Sequence, residues 1–356
     1  MAKTRVLVVE DSLTVRMRLV EILASDPDIE LVGEAEDGKQ AIELCVKLRP
    51  DVITMDMMLP VMTGLSATEY IMAHCPTPIL VVSASMNRGE VFRTYEALSA
   101  GAVDVLEKPT GTEPDGVWER NFLATVKMVA RIRVITHPRA RLSPQHQPVP
   151  PAPPAEPSRQ TRRIELVAIG ASTGGPGAIV EILRGLPPSF RLPILFVLHI
   201  NEPFGMAFAE WLDGQTDRRV AYPNDGDPVA SIAGRLVMAP VGRHLIVRDK
   251  RLRLVDTPER WSCRPSVDVL FETIAAEYGA AAVGCLLTGM GKDGAQGLLQ
   301  LRRAGGLTIA QDEASSIVYG MPREAALLGA ASEVLPLREI GPRLIALQAA
   351  NSEARP

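Results

Sequence analysis

The chain has 356 residues, with 38 Lys and Arg against 42 Asp and Glu and a formal net charge of −4, so it has room for two domains and no bulk attraction to nucleic acid or to a membrane surface. The four cysteines, Cys45, Cys75, Cys263 and Cys285, include no C-x-x-C pair, which argues against a zinc framework or a disulfide scaffold and leaves buried free thiols of a reducing compartment as the expectation. No apolar run approaches the length of a membrane span, and the first residues pass straight into a strand pattern with no signal peptide, so the expected location is the cytoplasm.

Through residue 130, short apolar runs alternate with helical patterns. The strand candidates are Val6 to Val9, Ile29 to Glu34, Val52 to Met55, Ile79 to Val82 and Val103 to Leu106. Amphipathic stretches such as Thr14 to Ala24 and Gly38 to Leu48 lie between them. Alternation of this kind predicts a parallel sheet with helices on both faces, and ligands of such sheets gather at the C-terminal strand ends. Polar residues occupy those ends: Glu10 and Asp11 after the first strand, Asp56 after the third, Ser83 after the fourth and Lys108 after the fifth. Carboxylates placed together repel unless a cation neutralises them, and an all-oxygen set suits Mg²⁺. A hydroxyl and an ammonium beside them suit a phosphoryl group.

VLVVEDS, DVITMDMMLP, VVSAS and GAVDVLEKP resemble the signature segments of two-component receiver domains, a flavodoxin-like fold. The resemblance implies that Asp56 accepts a phosphoryl group from a histidine kinase. It implies that Glu10, Asp11, Asp56 and the main-chain carbonyl of Met58 hold Mg²⁺, with Ser83 and Lys108 contacting the phosphoryl oxygens. Glu10 stands where the family often has Asp, and Thr63 stands where an acidic or amide residue is usual.

Residues 131–161 are expected to be a linker. Thr136 to Thr161 contains eight prolines and no periodicity, a composition that favours extended polyproline II and acts as a semi-stiff tether. The second domain is expected over 162–356. It opens with an apolar run, Ile164 to Ile169, then the turn Gly170-Ala171-Ser172-Thr173-Gly174-Gly175 and a helix pattern begun by Pro176. Ser172 on a tight strand-to-helix turn among small residues has the physics of a nucleophile elbow. The turn lacks the second glycine of a dinucleotide fingerprint, which counts against a nucleotide-dependent oxidoreductase. The next helical turn aims backbone N–H groups at the same spot, where they can hold an oxyanion.

His199 follows the apolar run Leu192 to Leu198 and so shares the strand-end edge with Ser172. His244 lies between two strand-like runs and reads as a turn or support residue. Asp293 lies in the glycine-rich turn after Ala281 to Leu287, whereas Asp217, Asp225 and Asp227 fall in polar loops. A buried carboxylate at the position of Asp293 can orient an imidazole and stabilise the imidazolium. The chain order Ser, His, Asp differs from that of the α/β-hydrolases. Main-chain N–H groups near Thr173 and Met290 are the expected oxyanion donors.

IGASTGGP, IAGRLVMAPVGRHL, CRPSVDVLF, LLTGMGKDGAQGL and AQDEASSIVYGMPREA resemble the catalytic domain of the chemotaxis protein-glutamate methylesterases, here expected to be a Rossmann-like, doubly wound α/β unit. The resemblance implies Ser172 as nucleophile, His199 as general base and Asp293 as orienting acid, with no cofactor in this half. It implies hydrolysis of glutamyl methyl esters on chemoreceptors and deamidation of receptor glutamines. After His199 the chain has Ile200-Asn201-Glu202-Pro203 where the family commonly has Met-Pro, at the rim of the site. The rival reading is a non-catalytic, phosphorylation-dependent adaptor.

Overall fold

The structure is a computed structural model that describes residues 3–84, 88–109, 114, 116–132, 134, 163–200 and 204–353. The proline-rich stretch and residues 201–203 of the rim segment lie outside the described residues. The N-terminal half runs β1 (Thr4–Val9), α1 (Leu13–Ala24), β2 (Ile29–Ala35), α2 (Gly38–Leu48), β3 (Val52–Met55), α3 (Gly64–His74), β4 (Ile79–Ser83), α4 (Arg88–Ser99), β5 (Asp104–Glu107) and α5 (Val117–Val129). Its strands form one parallel sheet in the order β2-β1-β3-β4-β5. Val6, Leu7, Val8 and Val9 are all buried, because helices cover both faces of the sheet and leave no solvent side to β1. Each such side chain contributes about 1.5–3 kcal/mol on burial.

The C-terminal half runs β6 (Leu166–Ala171), α6 (Gly175–Gly185), β7 (Ile194–Leu198), α7 (Phe204–Asp213), β8 (Val220–Ala221), β9 (Leu236–Met238), β10 (His244–Arg248), β11 (Arg251–Val255), α8 (Val267–Tyr278), β12 (Ala282–Leu286), α9 (Ala295–Arg303), β13 (Leu307–Gln311), α10 (Met321–Leu327), β14 (Glu333–Leu335) and α11 (Leu337–Glu353). Seven strands form a parallel sheet in the order β14-β13-β12-β6-β7-β9-β8. β10 and β11 form a separate antiparallel hairpin, an addition that strand-helix alternation does not announce. The central strands β12, β6 and β7 carry Asp293, Ser172 and His199 in the segments just past their C-terminal ends, on neighbouring strands of one edge.

The two halves share a core. α4 of the first packs against α6 and α7 of the second. Tyr95 on α4 is buried, its ring edge-on to Phe208 at 5.2 Å between centroids, and its hydroxyl donates to the Phe204 carbonyl. Arg88 pairs with Glu210 at 3.1 Å on the rim of this contact.

Candidate active site and phosphoacceptor site

At the first sheet's carboxyl edge, backbone bonds continue the strand pairing by one residue. The Asp56 N–H donates to the Val9 carbonyl at 3.0 Å, and the Lys108 N–H to the Ser83 carbonyl at 3.0 Å. Lys108 Nζ lies 2.8 Å from Glu10 Oε2 and 3.0 Å from Asp56 Oδ2, and the Met57 N–H donates to Asp56 Oδ1 at 2.7 Å. Burial and then the charge of Asp56 push the Glu10 carboxyl up, against the pull of Lys108. One oxygen each from Glu10, Asp11 and Asp56 lies within 4.8 Å of the others, a repulsive set whose strain a cation relieves. Among the described residues no hydrogen bond is made to the Met58 carbonyl, in the turn after Asp56. These donors are hard oxygens, which fits Mg²⁺. Ser83 faces elsewhere: its buried hydroxyl donates to Glu90 Oε1 on α4 at 3.1 Å.

At the second sheet's edge, β6 ends at Ala171, two residues beyond the expected end of the apolar run, and Ser172 follows at once. Gly174 caps α6 at φ 76, a left-handed conformation open to glycine without strain. The Ser172 N–H donates to the Thr288 carbonyl at 3.0 Å, and its carbonyl accepts from the Gly175 N–H at 2.6 Å. A Cβ placed on Gly289 would sit 2.7 Å from Ser172 Cβ, so only glycine lets the β12 turn approach the serine. Thr288 Oγ1 donates to the Thr173 carbonyl at 3.0 Å and accepts from the Val318 N–H at 2.9 Å. The Thr288 N–H in turn donates to Gln311 Oε1 at 2.8 Å.

The His199 N–H donates to the Ala171 carbonyl at 3.0 Å, which sets the imidazole beside the Ser172 turn. Its Nε2 lies 2.9 Å from Asp293 Oδ2. Asp293 is buried at the N-terminus of α8 and accepts from Ser266 Oγ at 2.7 Å, from the Val267 N–H at 2.7 Å and from the Asp268 N–H at 3.0 Å. Burial works to raise the Asp293 carboxyl. The bond to His199, its charge and the donors of the helix outweigh burial and hold the carboxyl below the usual carboxylate value. For His199 burial pulls the other way, but the bonds to Asp293 and Cys263 hold the imidazolium up at about 9. With the Nε2 proton directed at Asp293, the lone pair of the neutral ring is on Nδ1.

The edge therefore joins His199 and Asp293 directly and sets Ser172 one strand away. Among the described residues no hydrogen bond links Ser172 Oγ to His199. The Thr173 and Met290 N–H groups likewise meet no acceptor among the described residues, and the Met290 side chain is exposed. His244 is buried in support: Nε2–H donates to the Pro258 carbonyl at 3.1 Å, while Nδ1 accepts the Ser266 N–H at 3.1 Å.

Three neighbours of the site had no signal in the sequence. Cys263 is not the buried inert thiol expected there; it is half-buried, with Sγ 3.8 Å from His199 Nδ1. It comes from the loop after the β10–β11 hairpin, which no periodicity ties to this edge. Ser266 was hidden in an ordinary helix-cap position. Asp104, at the start of β5, lies beside Thr173 of the other half, and burial pushes its carboxyl up to about 6 against the opposing pull of the Val105 N–H and the Thr173 hydroxyl.

The chain matches the family model described as CheB methylesterase over residues 167–344 and that described as response regulator receiver domain over residues 6–114. A protein-glutamate methylesterase/protein-glutamine glutaminase of Anaeromyxobacter dehalogenans is 44% identical over 336 residues, covering 94% of this chain and 94% of its own. One from Syntrophus aciditrophicus is 44% identical over 347 residues, covering 96% of this chain and 98% of its own. The solved CheB methylesterase catalytic domain of Thermotoga maritima is 33% identical, with a TM-score of 0.49 over 52% of this chain and 100% of that domain. With both domain types matched in sequence and near-full-length identity to enzymes of this name, the chain belongs to the family of receiver-bearing protein-glutamate methylesterase/protein-glutamine glutaminases.

Proposed function

We propose that this protein is a phosphorylation-regulated serine hydrolase that removes γ-methyl groups from glutamates of chemoreceptors and deamidates receptor glutamines. The observation that carries the reading is the buried 2.9 Å contact between His199 Nε2 and Asp293, on the strand adjoining the Ser172 turn. The relatives' names support a catalytic role and lend nothing to an adaptor.

Ser172 is the nucleophile. His199 takes its proton through the Nδ1 lone pair, while Asp293 keeps the ring's other proton in place and stabilises the imidazolium. Attack on the side-chain carbonyl gives a tetrahedral oxyanion for the free N–H groups near Thr173 and Met290. Loss of one such donor typically costs about 3 kcal/mol of barrier. Methanol, or ammonia from a glutamine, leaves with the proton from His199, and water cleaves the acyl-enzyme by the reverse proton path.

In the receiver domain, Glu10, Asp11, Asp56 and the Met58 carbonyl would hold Mg²⁺, which offsets the negative charge of an incoming phosphoryl group. Asp56 accepts that group from a histidine kinase, and Lys108 pairs with it. Ser83 is the hydroxyl best placed to follow, and in doing so it leaves Glu90 on α4, the helix packed against the catalytic domain. Regulation follows from that docking: α4 and Asp104 lie against α6 and Thr173, next to the nucleophile, and their release opens the approach to Ser172. Methanol release from methylated receptor tests the reading. Ser172→Ala is expected to lower it by about four orders of magnitude or more, and undiminished release contradicts the assignment.

A further inference from the structure

Cys263 is assigned no bond-making step in the hydrolysis, yet its thiol faces the one imidazole nitrogen the hydrolysis needs. Its place is fixed by an unusual turn. Arg260 and Cys263 exchange backbone hydrogen bonds of 3.1 and 2.9 Å, and the residues between them, Trp261 and Ser262, stand at φ 53 and 59. Two left-handed residues in succession are the pattern that Asn-Gly usually supplies. Here the turn is anchored by its side chains: Trp261 Nε1–H donates to Asp268 Oδ2 at 2.9 Å, and Lys292 Nζ lies 3.7 Å above the indole. The Cys263 S–H can also donate to the Trp261 carbonyl, 3.4 Å away.

The sulfur lies 3.8 Å from His199 Nδ1. Zinc bound to a thiolate at about 2.3 Å and an imidazole at about 2.0 Å, at a tetrahedral angle, separates those two atoms by about 3.5 Å. The span present is therefore close to that of a Cys–His pair sharing one metal. The far side of the ring supplies the second requirement. Histidines that ligate metals commonly donate their other N–H to a carboxylate, which fixes the tautomer and strengthens the ligating nitrogen, and Asp293 is in that position at 2.9 Å from Nε2. Cys263, His199 and Asp293 each place a ligand-type atom within 4.8 Å of the other two. Thiolate and imidazole together suit zinc rather than magnesium.

We infer that Cys263 Sγ and His199 Nδ1 form a Zn²⁺ site, with Asp293 as its outer partner, whose occupancy switches off the hydrolase. One Zn²⁺ replaces the Cys263 thiol proton and any proton on Nδ1, and those protons pass to solvent. Zinc then holds the lone pair that would accept the Ser172 proton, so the bound form has no general base. The two remaining coordination positions are left to water.

The test uses the full chain in excess Mg²⁺, which occupies the acidic cluster of the receiver domain. Co²⁺ serves as the spectroscopic probe and Zn²⁺ as the inhibitor. The wild-type protein is expected to show a near-ultraviolet thiolate-to-cobalt absorption, and Zn²⁺ is expected to abolish this band and stop methanol release, which returns with EDTA. Cys263→Ala is expected to lose the band and to keep, in Zn²⁺, the rate it has without Zn²⁺. Asp293→Asn is expected to retain the band with metal affinity lowered about 10–100-fold. A band that persists in Cys263→Ala, or inhibition by Zn²⁺ equal in wild type and Cys263→Ala, overturns the site. The cobalt band does not depend on turnover, so the site and the assignment of Ser172 as nucleophile fail separately.

Discussion

In the proposed mechanism the 2.9 Å contact between His199 and Asp293 governs both the chemistry and its response to pH. Burial disfavours the imidazolium, and the bonds to Asp293 and Cys263 outweigh burial, leaving the group titrating at about 9. Since a general base acts through its neutral form, the esterase rate of the full chain is expected to rise with pH to a half-maximum near 9. Cys263→Ala removes one of the groups holding that value up, so its half-maximum is expected at lower pH. A flat profile between pH 7 and 9.5 contradicts the assignment of His199. For stability the sign runs the other way: the charged pair is fully present below the ordinary histidine value of 6.5 and is lost as pH rises through about 9. Ser172, His199 and Asp293 were legible in the sequence because each follows an apolar run, and the parallel sheet carries all such ends to one edge. Cys263 and Ser266 reach the same edge through a loop and a helix cap, whose positions are set by tertiary packing rather than by any repeat.

At the scale of the element, α4 connects the two sites. Ser83 bonds to Glu90 at its first turn, and Tyr95, farther along, reaches the Phe204 carbonyl in the catalytic domain. Tyr95→Phe keeps the ring packed on Phe208 and removes that one hydrogen bond, worth about 1 kcal/mol or about fivefold in a docking equilibrium. Basal methanol release without a phosphodonor is therefore expected to rise severalfold; an unchanged rate contradicts docking as the restraint. The strands expected from the sequence, β1 to β7 and β12, lie within two residues of their observed bounds, whereas β8 to β11, β13 and β14 were given no bounds beforehand. The helix after Ser172 was expected to open at Pro176 and begins at Gly175, because Gly174 takes a left-handed cap that the sequence pattern cannot show. The pairing of α4 with α6 and α7 was invisible beforehand, since apolar residues on a helix face do not name the surface that will cover them.

Over the whole molecule, two parallel sheets place one reactive edge each, and the same helix that borders the phosphoacceptor edge lies against the hydrolytic half. The carboxylate set of the first edge was readable because its residues sit at matching strand ends, whereas Asp104 was not, because its partner Thr173 comes from the other domain. Under the proposed function the two edges are coupled, and phosphorylation of Asp56 is expected to expose Ser172 as a nucleophile. The most direct measurement is the rate at which a fluorophosphonate labels the full chain, with peptide mass spectrometry locating the adduct, in Mg²⁺ with and without acetyl phosphate. The expected result is a single adduct on Ser172, formed faster with acetyl phosphate in the wild type and at an unaltered rate in Asp56→Asn. An adduct on another residue, or a Ser172 rate indifferent to acetyl phosphate in the wild type, contradicts it.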